Sequence, residues 1–254
     1  MLLAPIIILD KPQLGDNIGM AARAMRNCGL SDLRLVAPRD GWPNPKAMDA
    51  ASGASDIIEQ TQCFDVLSDA LHDVEFMLAT TGRIRGSTLP VYQPSSAINL
   101  MGEKAQKGQI AVLFGGERSG LDNDAVSHAH GILNFPLAPD FKSLNLSHAV
   151  LLVAWEWRRF TMEERMGDDN PPNLKLEEET PASLGDLDHL HQRIMQQAGQ
   201  GGFFKNAEMT PIVARNLRML LTKASLTQQE VSTLHGLLRA IYSANPQENS
   251  GNPE

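Results

Sequence analysis

The chain has 254 residues, 42% hydrophobic and 20% charged, the balance of a soluble globular protein with one large domain or a medium domain plus a small one. No stretch reaches the roughly 18 apolar residues of a membrane-spanning helix, and two cysteines, Cys28 and Cys63, neither build a disulfide framework nor show metal-site spacing. A net charge of −8 argues against indiscriminate nucleic-acid binding, although Arg23, Arg26, Arg34 and Arg39 cluster locally, as do Lys205, Arg215, Arg218 and Lys223.

The opening MLLAPIIILDK lacks a basic leader and a small-residue cleavage site, so it reads as a first strand over Pro5–Leu9 and implies a cytoplasmic location. Asp16 or Asn17 caps a helix to about Cys28, which Gly29 stops. Leu33–Ala37 reads as a strand, Ala47–Ala54 and Phe64–Leu71 as helices, and Phe76–Thr80 as a third strand. Ile110–Phe114 gives a fourth strand, ending in Gly115-Gly116, and a fifth lies near Ile132–Phe135, ended by Pro136. A long helix follows from about Leu144 to Arg165. Strands alternating with helices predict an α/β domain over residues 1–165 with a mainly parallel sheet.

Composition then changes. Residues 166–186 carry prolines and acids without apolar periodicity and read as a linker. Residues 187–244 read as a small all-α unit, with helices over Leu187–Gln197 and Pro211–Ala224. Ser225-Leu-Thr-Gln228 has the form of a capping box opening a third helix. The polar tail 245–254 reads as disordered.

Three glycine- and polar-rich stretches stand at strand ends, where α/β proteins bind ligands. The first runs from Gly15 through Asn17 and Gly19 to Arg23 and Arg26, its small residues permitting close backbone packing. Six positions separate Asn17 from Arg23, close to two turns, which puts them on a similar helix face and lets Arg23 meet a phosphate bidentately. An ordinary capped helix with a solvated arginine fits this stretch as well. The second is Gly115-Gly116-Glu117-Arg-Ser-Gly-Leu121, either a ligand loop or a tight turn capped by Glu117. It is neither a Walker loop nor the GxGxxG dinucleotide fingerprint. The third runs from Phe135-Pro136 to Ser143-Leu144-Asn145-Leu-Ser147, where alternating small polar residues precede an apolar helix or simply cap it. His128/His130 and His189/His191 read as surface histidines, and no cluster suggests a metal.

Together these stretches resemble the three motifs of the SpoU/TrmH family of the SPOUT superfamily, in order and spacing, across most of residues 5–160. The C-terminal unit, with His191, the Arg215–Arg218 run and Leu226–Glu230, is similar to the helical extension of that family's TrmJ branch. The resemblance implies a deep trefoil knot, a homodimer, and 2′-O-methylation of an RNA ribose by S-adenosylmethionine, without metal. It implies a tRNA substrate, methylated near the start of the anticodon loop, with rRNA as the alternative and a catalytically inactive RNA-binding protein as another. Asn17, Arg23, Glu117, Ser143 and Asn145 match the family's catalytic and conserved polar positions. The cofactor would lie against Thr80-Thr81-Gly82, Gly115-Gly116-Glu117, and Phe135, Pro136, Leu144 and Asn145. RNA contacts would come from Arg23, Arg26, Lys205, Arg215 and Arg218. In the dimer, Leu151, Leu152, Trp155 and Trp157 either meet the partner or fill the internal core.

Overall fold

The computed structural model describes residues 2–82, 88–141, 143–166, 180–204 and 206–244. Residues 167–179 of the expected linker, the tail from Asn245, and Lys142 and Lys205 lie outside them.

In chain order the elements are β1 (Ile6–Asp10), α1 (Gly15–Asn27), β2 (Leu33–Val36), α2 (Pro45–Ala51), α3 (Ser55–Gln60), β3 (Gln62–Phe64) and α4 (Leu67–Ala70). There follow β4 (Phe76–Thr80), β5 (Val91–Tyr92), α5 (Pro94–Ala105), β6 (Ile110–Gly115), α6 (Asn123–Ser127), β7 (Gly131–Leu133) and α7 (Leu146–Met166). The C-terminal part holds α8 (Leu184–Gln200), α9 (Thr210–Lys223) and α10 (Gln228–Ala244). The strands form one sheet in the order β3-β2-β1-β6-β4-β7-β5, and every pairing is parallel.

The middle of a parallel sheet is covered on both faces, which explains the unbroken apolar run of β1. Ile6, Ile7, Ile8 and Leu9 are all fully buried. Ile7 and Leu9 enter one core, built with α1, α2, α3, α5 and α7. Ile6 and Ile8 point to the other face and join residues of α6, α8, α9 and α10. The C-terminal helices therefore wall the second core: the Leu184 N–H donates to the Val74 carbonyl at 2.6 Å, just before β4.

Several local expectations change. The segment 64–71 is not one helix but the end of β3 followed by the short α4. Helix α5 was not foreseen; it starts on Pro94 and buries Ala97, Ile98, Met101 and Ala105, an apolar stripe. Strand β5 spans two residues, too short to show a period of two. Helix α10 is capped by Thr227, not Ser225: the Thr227 hydroxyl accepts from the Glu230 N–H at 3.2 Å, while Ser225 sits at φ 50°. Helix α8 opens earlier than expected, on a box in which Ser183 and Asp186 cap one another. Among the described residues no helix is long and apolar enough to cross a membrane.

Candidate active site

Sheet order decides which loops meet. Because β4 lies between β6 and β7, the carboxyl ends of these strands present Gly115-Gly116-Glu117, Thr80-Thr81-Gly82 and the chain from Asn134 side by side. Side chains stitch the three together. The Thr80 hydroxyl donates to the Leu113 carbonyl at 2.9 Å, and the Asn134 amide donates to the Thr81 carbonyl at 3.0 Å. Glycine is required in the middle loop by close approach: a Cβ on Gly116 would stand 2.3 Å from the Lys11 carbonyl oxygen, and one on Gly115 2.3 Å from the backbone of Gly120 and Leu121. The loop closes on itself through a Gly120 N–H to Gly116 carbonyl bond of 2.9 Å.

From this loop Glu117 reaches α1. Its carboxylate accepts from the backbone N–H of Gln13 at 2.8 Å, that of Leu14 at 3.2 Å, and the Asn17 side-chain amide at 2.7 Å. Glu117 thus satisfies donors at the amino end of α1, where a negative charge is favoured by the exposed N–H groups. Neither Asp16 nor Asn17 caps the helix; Leu14 occupies the cap position with no side-chain bond, and Asn17 lies inside the helix, 3% exposed. A carboxylate only accepts, so Asn17 must turn its NH₂ to Glu117 and its oxygen away. That oxygen accepts from the Asn145 amide at 3.1 Å, and the Asn145 oxygen in turn accepts from the Ser147 N–H at 2.9 Å and hydroxyl at 2.7 Å. One directional chain, Ser147 to Asn145 to Asn17 to Glu117, therefore joins all three sequence motifs.

The remaining candidates are distributed differently. Arg23 is exposed and makes no ion pair among the described residues. At about 100° per residue, six positions put it about 120° around α1 from Asn17, not on the same face. Ser143 and Pro136 are exposed, and Leu144 and Phe135 half-buried, with Phe135 packed on the first core. Arg26 pairs with Asp56, Arg215 with Asp124 at 3.3 Å, and Arg218 with Asp188 at 3.1 Å. Arg34 is buried and bound to Asp73 through two bonds of 2.6 and 2.8 Å. These arginines are engaged within the fold. Trp157 is 3% exposed and belongs to the internal core, whereas Trp155 is 55% exposed.

The histidines expected at the surface are not all there. His130 is 8% exposed and its Nδ1 accepts from the Met77 N–H at 3.1 Å; burial, assisted by Lys104, pushes its pKa down to about 3. Burial, with the Arg218 charge behind it, lowers His128 to about 4. His191 is buried against the Ala214 carbonyl. Sequence reasoning also missed Asp10, buried at the end of β1, where burial raises its carboxyl despite Lys11 nearby. An acid closing an apolar strand is the signal that marks it. Among the described residues no group of three or more His, Cys, Asp or Glu is placed to hold a metal.

A wholly parallel α/β sheet with three joined loops at its carboxyl edge defines a ligand-binding α/β protein of the doubly covered type. Residues 4–155 match the SpoU rRNA Methylase family, and the chain belongs to that family. It is 33% identical over 237 residues to the tRNA (cytidine/uridine-2′-O-)-methyltransferase TrmJ of Yersinia pestis (strain Pestoides F), covering 93% of this chain and 90% of that one. The crystal structure of TrmJ from Z. mobilis ZM4 shares 42% identity with a TM-score of 0.85, covering 94% of this chain and all of the other. A probable methylase family protein from Haemophilus influenzae Rd KW20 matches at 29% identity and a TM-score of 0.64, over 96% and 98% of the two chains.

Proposed function

We propose that this chain methylates the 2′-hydroxyl of a cytidine or uridine ribose in tRNA, with S-adenosylmethionine as methyl donor. The observation that carries the reading is the Glu117–Asn17–Asn145 chain, which draws residues 100 and 128 positions apart into one organised site. Family membership and the tRNA-methylating relatives at 33% identity support the substrate class. A tRNA-modifying role places the protein in the cytoplasm.

The three loops suit the donor chemically. Gly115 and Gly116 let the middle loop pack tightly against Lys11 and Gly120, Gly82 is exposed, and Thr80, Thr81, Phe135, Pro136, Leu144 and Asn145 would complete the cradle. The donor supplies a methyl group already activated by its sulfonium, so a metal has no step to perform. What the protein must add is alignment of the hydroxyl and stabilisation of the charge that develops on its oxygen.

Arg23 takes that second role. A guanidinium keeps its proton in proteins, so it acts as a fixed positive fork toward the ribose oxygen and adjacent phosphate. Glu117, Asn17 and Asn145 hold α1 and the start of α7 in place, and Ser143 orients the ribose or Arg23. Since Arg23 faces away from Asn17, the reading includes a homodimer in which each site is completed by the other copy. The exposed Leu151, Leu152 and Trp155 of α7, beside α1, offer the apolar contact such a dimer needs. The trefoil knot implied by the family belongs to the same proposal.

The test is transfer of labelled methyl from S-adenosylmethionine into bulk tRNA and rRNA, followed by nucleoside mass analysis, with Arg23→Ala in parallel. A 2′-O-methylated pyrimidine nucleoside in tRNA, lost in the variant, is the expected result. Label in rRNA alone overturns the substrate, and absence of donor binding overturns the enzymatic reading.

A further inference from the structure

The loop that carries Glu117 leaves β6 at Gly115 and ends at Asp122, where α6 begins, and both of its ends meet the exit of β1. Asp10 pairs with Gly115 in the sheet, and the Lys11 carbonyl lies so close to Gly116 that no Cβ fits there. At the far end the Lys11 ammonium donates to Asp122 Oδ2 at 3.0 Å. Lys11 therefore holds both ends of the loop, by main chain at its start and by side chain at its finish.

The lysine itself adopts an uncommon backbone shape. Its φ is 51°, in the left-handed region that glycine favours and long side chains rarely enter. The Lys11 N–H donates to the Val36 carbonyl at 2.8 Å, which fixes the residue against β2 as the chain turns. Such a conformation persists only where the surroundings over-determine it, and the contacts with Val36, Gly116 and Asp122 do so. The other end of the tether is equally fixed. Asp122 Oδ1 caps α6 by accepting from the Ala125 N–H at 2.8 Å, which leaves Oδ2 for Lys11. Arg215 of α9 holds Asp124 of the same helix at 3.3 Å. The ammonium also lies 3.8 Å from the buried carboxyl of Asp10, so it stands between two acidic groups whose charges oppose one another.

From these contacts the structure assigns Lys11 as a positioning residue that clasps the Gly115–Asp122 loop in its binding shape for the methyl donor. The donor part of the statement rests on the function proposed above, in which Gly115, Gly116 and Glu117 line the donor site. A loop held in its bound shape before the ligand arrives loses less freedom on binding, so the clasp raises affinity without touching the donor. The two side chains are 61% and 56% exposed, and pairs of that kind are individually modest. Loss of the pair is therefore expected to weaken donor binding about two- to fivefold.

The experiment uses the full chain with Lys11→Asn, Lys11→Arg, Asp122→Asn and the double variant Lys11→Asn/Asp122→Asn. Asparagine tolerates the left-handed backbone at position 11 and still caps α6 at position 122, so each change removes the charge and keeps the local fold. Deuterium exchange of the ligand-free protein is compared for peptides covering 10–14 and 113–123, with α5 as the control. S-adenosylmethionine affinity is measured by calorimetry, and KM for donor and tRNA by methyl transfer. Expected for Lys11→Asn are faster exchange confined to 10–14 and 113–123, a donor KM raised about two- to fivefold and an unchanged tRNA KM. Lys11→Arg restores both readouts, and the double variant does no more than either single one. Unchanged exchange, or effects of the two single variants that simply add, overturns the clasp. Faster exchange with an unchanged donor KM overturns the positioning role, and a rise in the tRNA KM alone makes Lys11 a phosphate contact instead. If exchange responds as expected but the wild-type chain binds no S-adenosylmethionine, the clasp stands and the donor reading fails.

Discussion

Replacing Glu117 by glutamine isolates the carboxylate that joins the three motifs. The side chain keeps its length and most of its shape, but only one oxygen remains to accept. Three N–H groups now point at Glu117, from Gln13, Leu14 and Asn17. An amide in its place directs an NH₂ at one or more of them, donor against donor. Hydrogen bonds to a charged acceptor contribute about 1.5–3 kcal/mol each, and this acceptor is half-buried and partly screened, so the net loss is expected at about 2–4 kcal/mol. For a chain of this size that corresponds to a melting temperature lower by about 5–10 °C. Loosening the amino end of α1 also loosens Asn17 and, through it, Asn145, so methyl transfer should fall at least about tenfold at temperatures where the variant is still folded. Thermal and urea denaturation give the first quantity, and single-turnover methylation of tRNA the second. A Glu117→Gln protein that melts within a degree of wild type and turns over normally refutes the argument.

Other perturbations test separate parts of the picture. Arg23→Lys retains the charge but not the planar fork, and turnover is expected to fall about tenfold or more with little change in melting; near-normal turnover rules out the fork. A Cβ on Gly19 would lie 2.2 Å from the Ala47 carbonyl oxygen, so Gly19→Ala must push α1 from α2, costing about 1–3 kcal/mol by denaturation; an unchanged midpoint contradicts that packing. His130 titrates near 6.5 unfolded but only at about 3 folded, so the unfolded chain binds the extra proton between those values. Stability is therefore complete above pH 6.5 and lost as pH falls; at pH 5 this residue alone removes about 2 kcal/mol relative to pH 7. His130→Gln should flatten the acid limb of the stability curve, and an unaltered limb would mean that the imidazole is not buried in its neutral form.

Much of the candidate site was legible because its residues are unusual in place. Paired glycines after β6, an asparagine beside small residues in α1, and polar residues spaced along the approach to α7 are costly unless something requires them. Their connection was not legible. Glu117 caps a helix that begins about a hundred positions earlier, and no local pattern announces a cap supplied from so far. The same holds for Arg218, which in sequence is one cation in a basic helix and in space is the partner of Asp188. The expected shared face of Asn17 and Arg23 failed for a simpler reason: six residues fall short of two turns, and the missing fraction moves the Arg23 side chain to another face. The short elements α3, β3 and β5 escaped, and α4 was drawn too long, because two to six residues do not establish a period.

The position of β1 has a consequence for how the chain is made. Its permanent neighbours are β2, which follows soon after, and β6, which pairs Ile6 with Ala111 and Asp10 with Gly115. At synthesis rates of about 5–20 residues per second, the first strand waits roughly 5–20 seconds for that second neighbour to be translated. Throughout the wait one edge of a strand with four consecutive apolar residues has no partner, and so is open to pairing with another nascent chain. Yield during overexpression should accordingly depend on how fast residues 11–115 are synthesised, and slow codons placed across that interval should send more of the product into aggregates than the same codons placed after it.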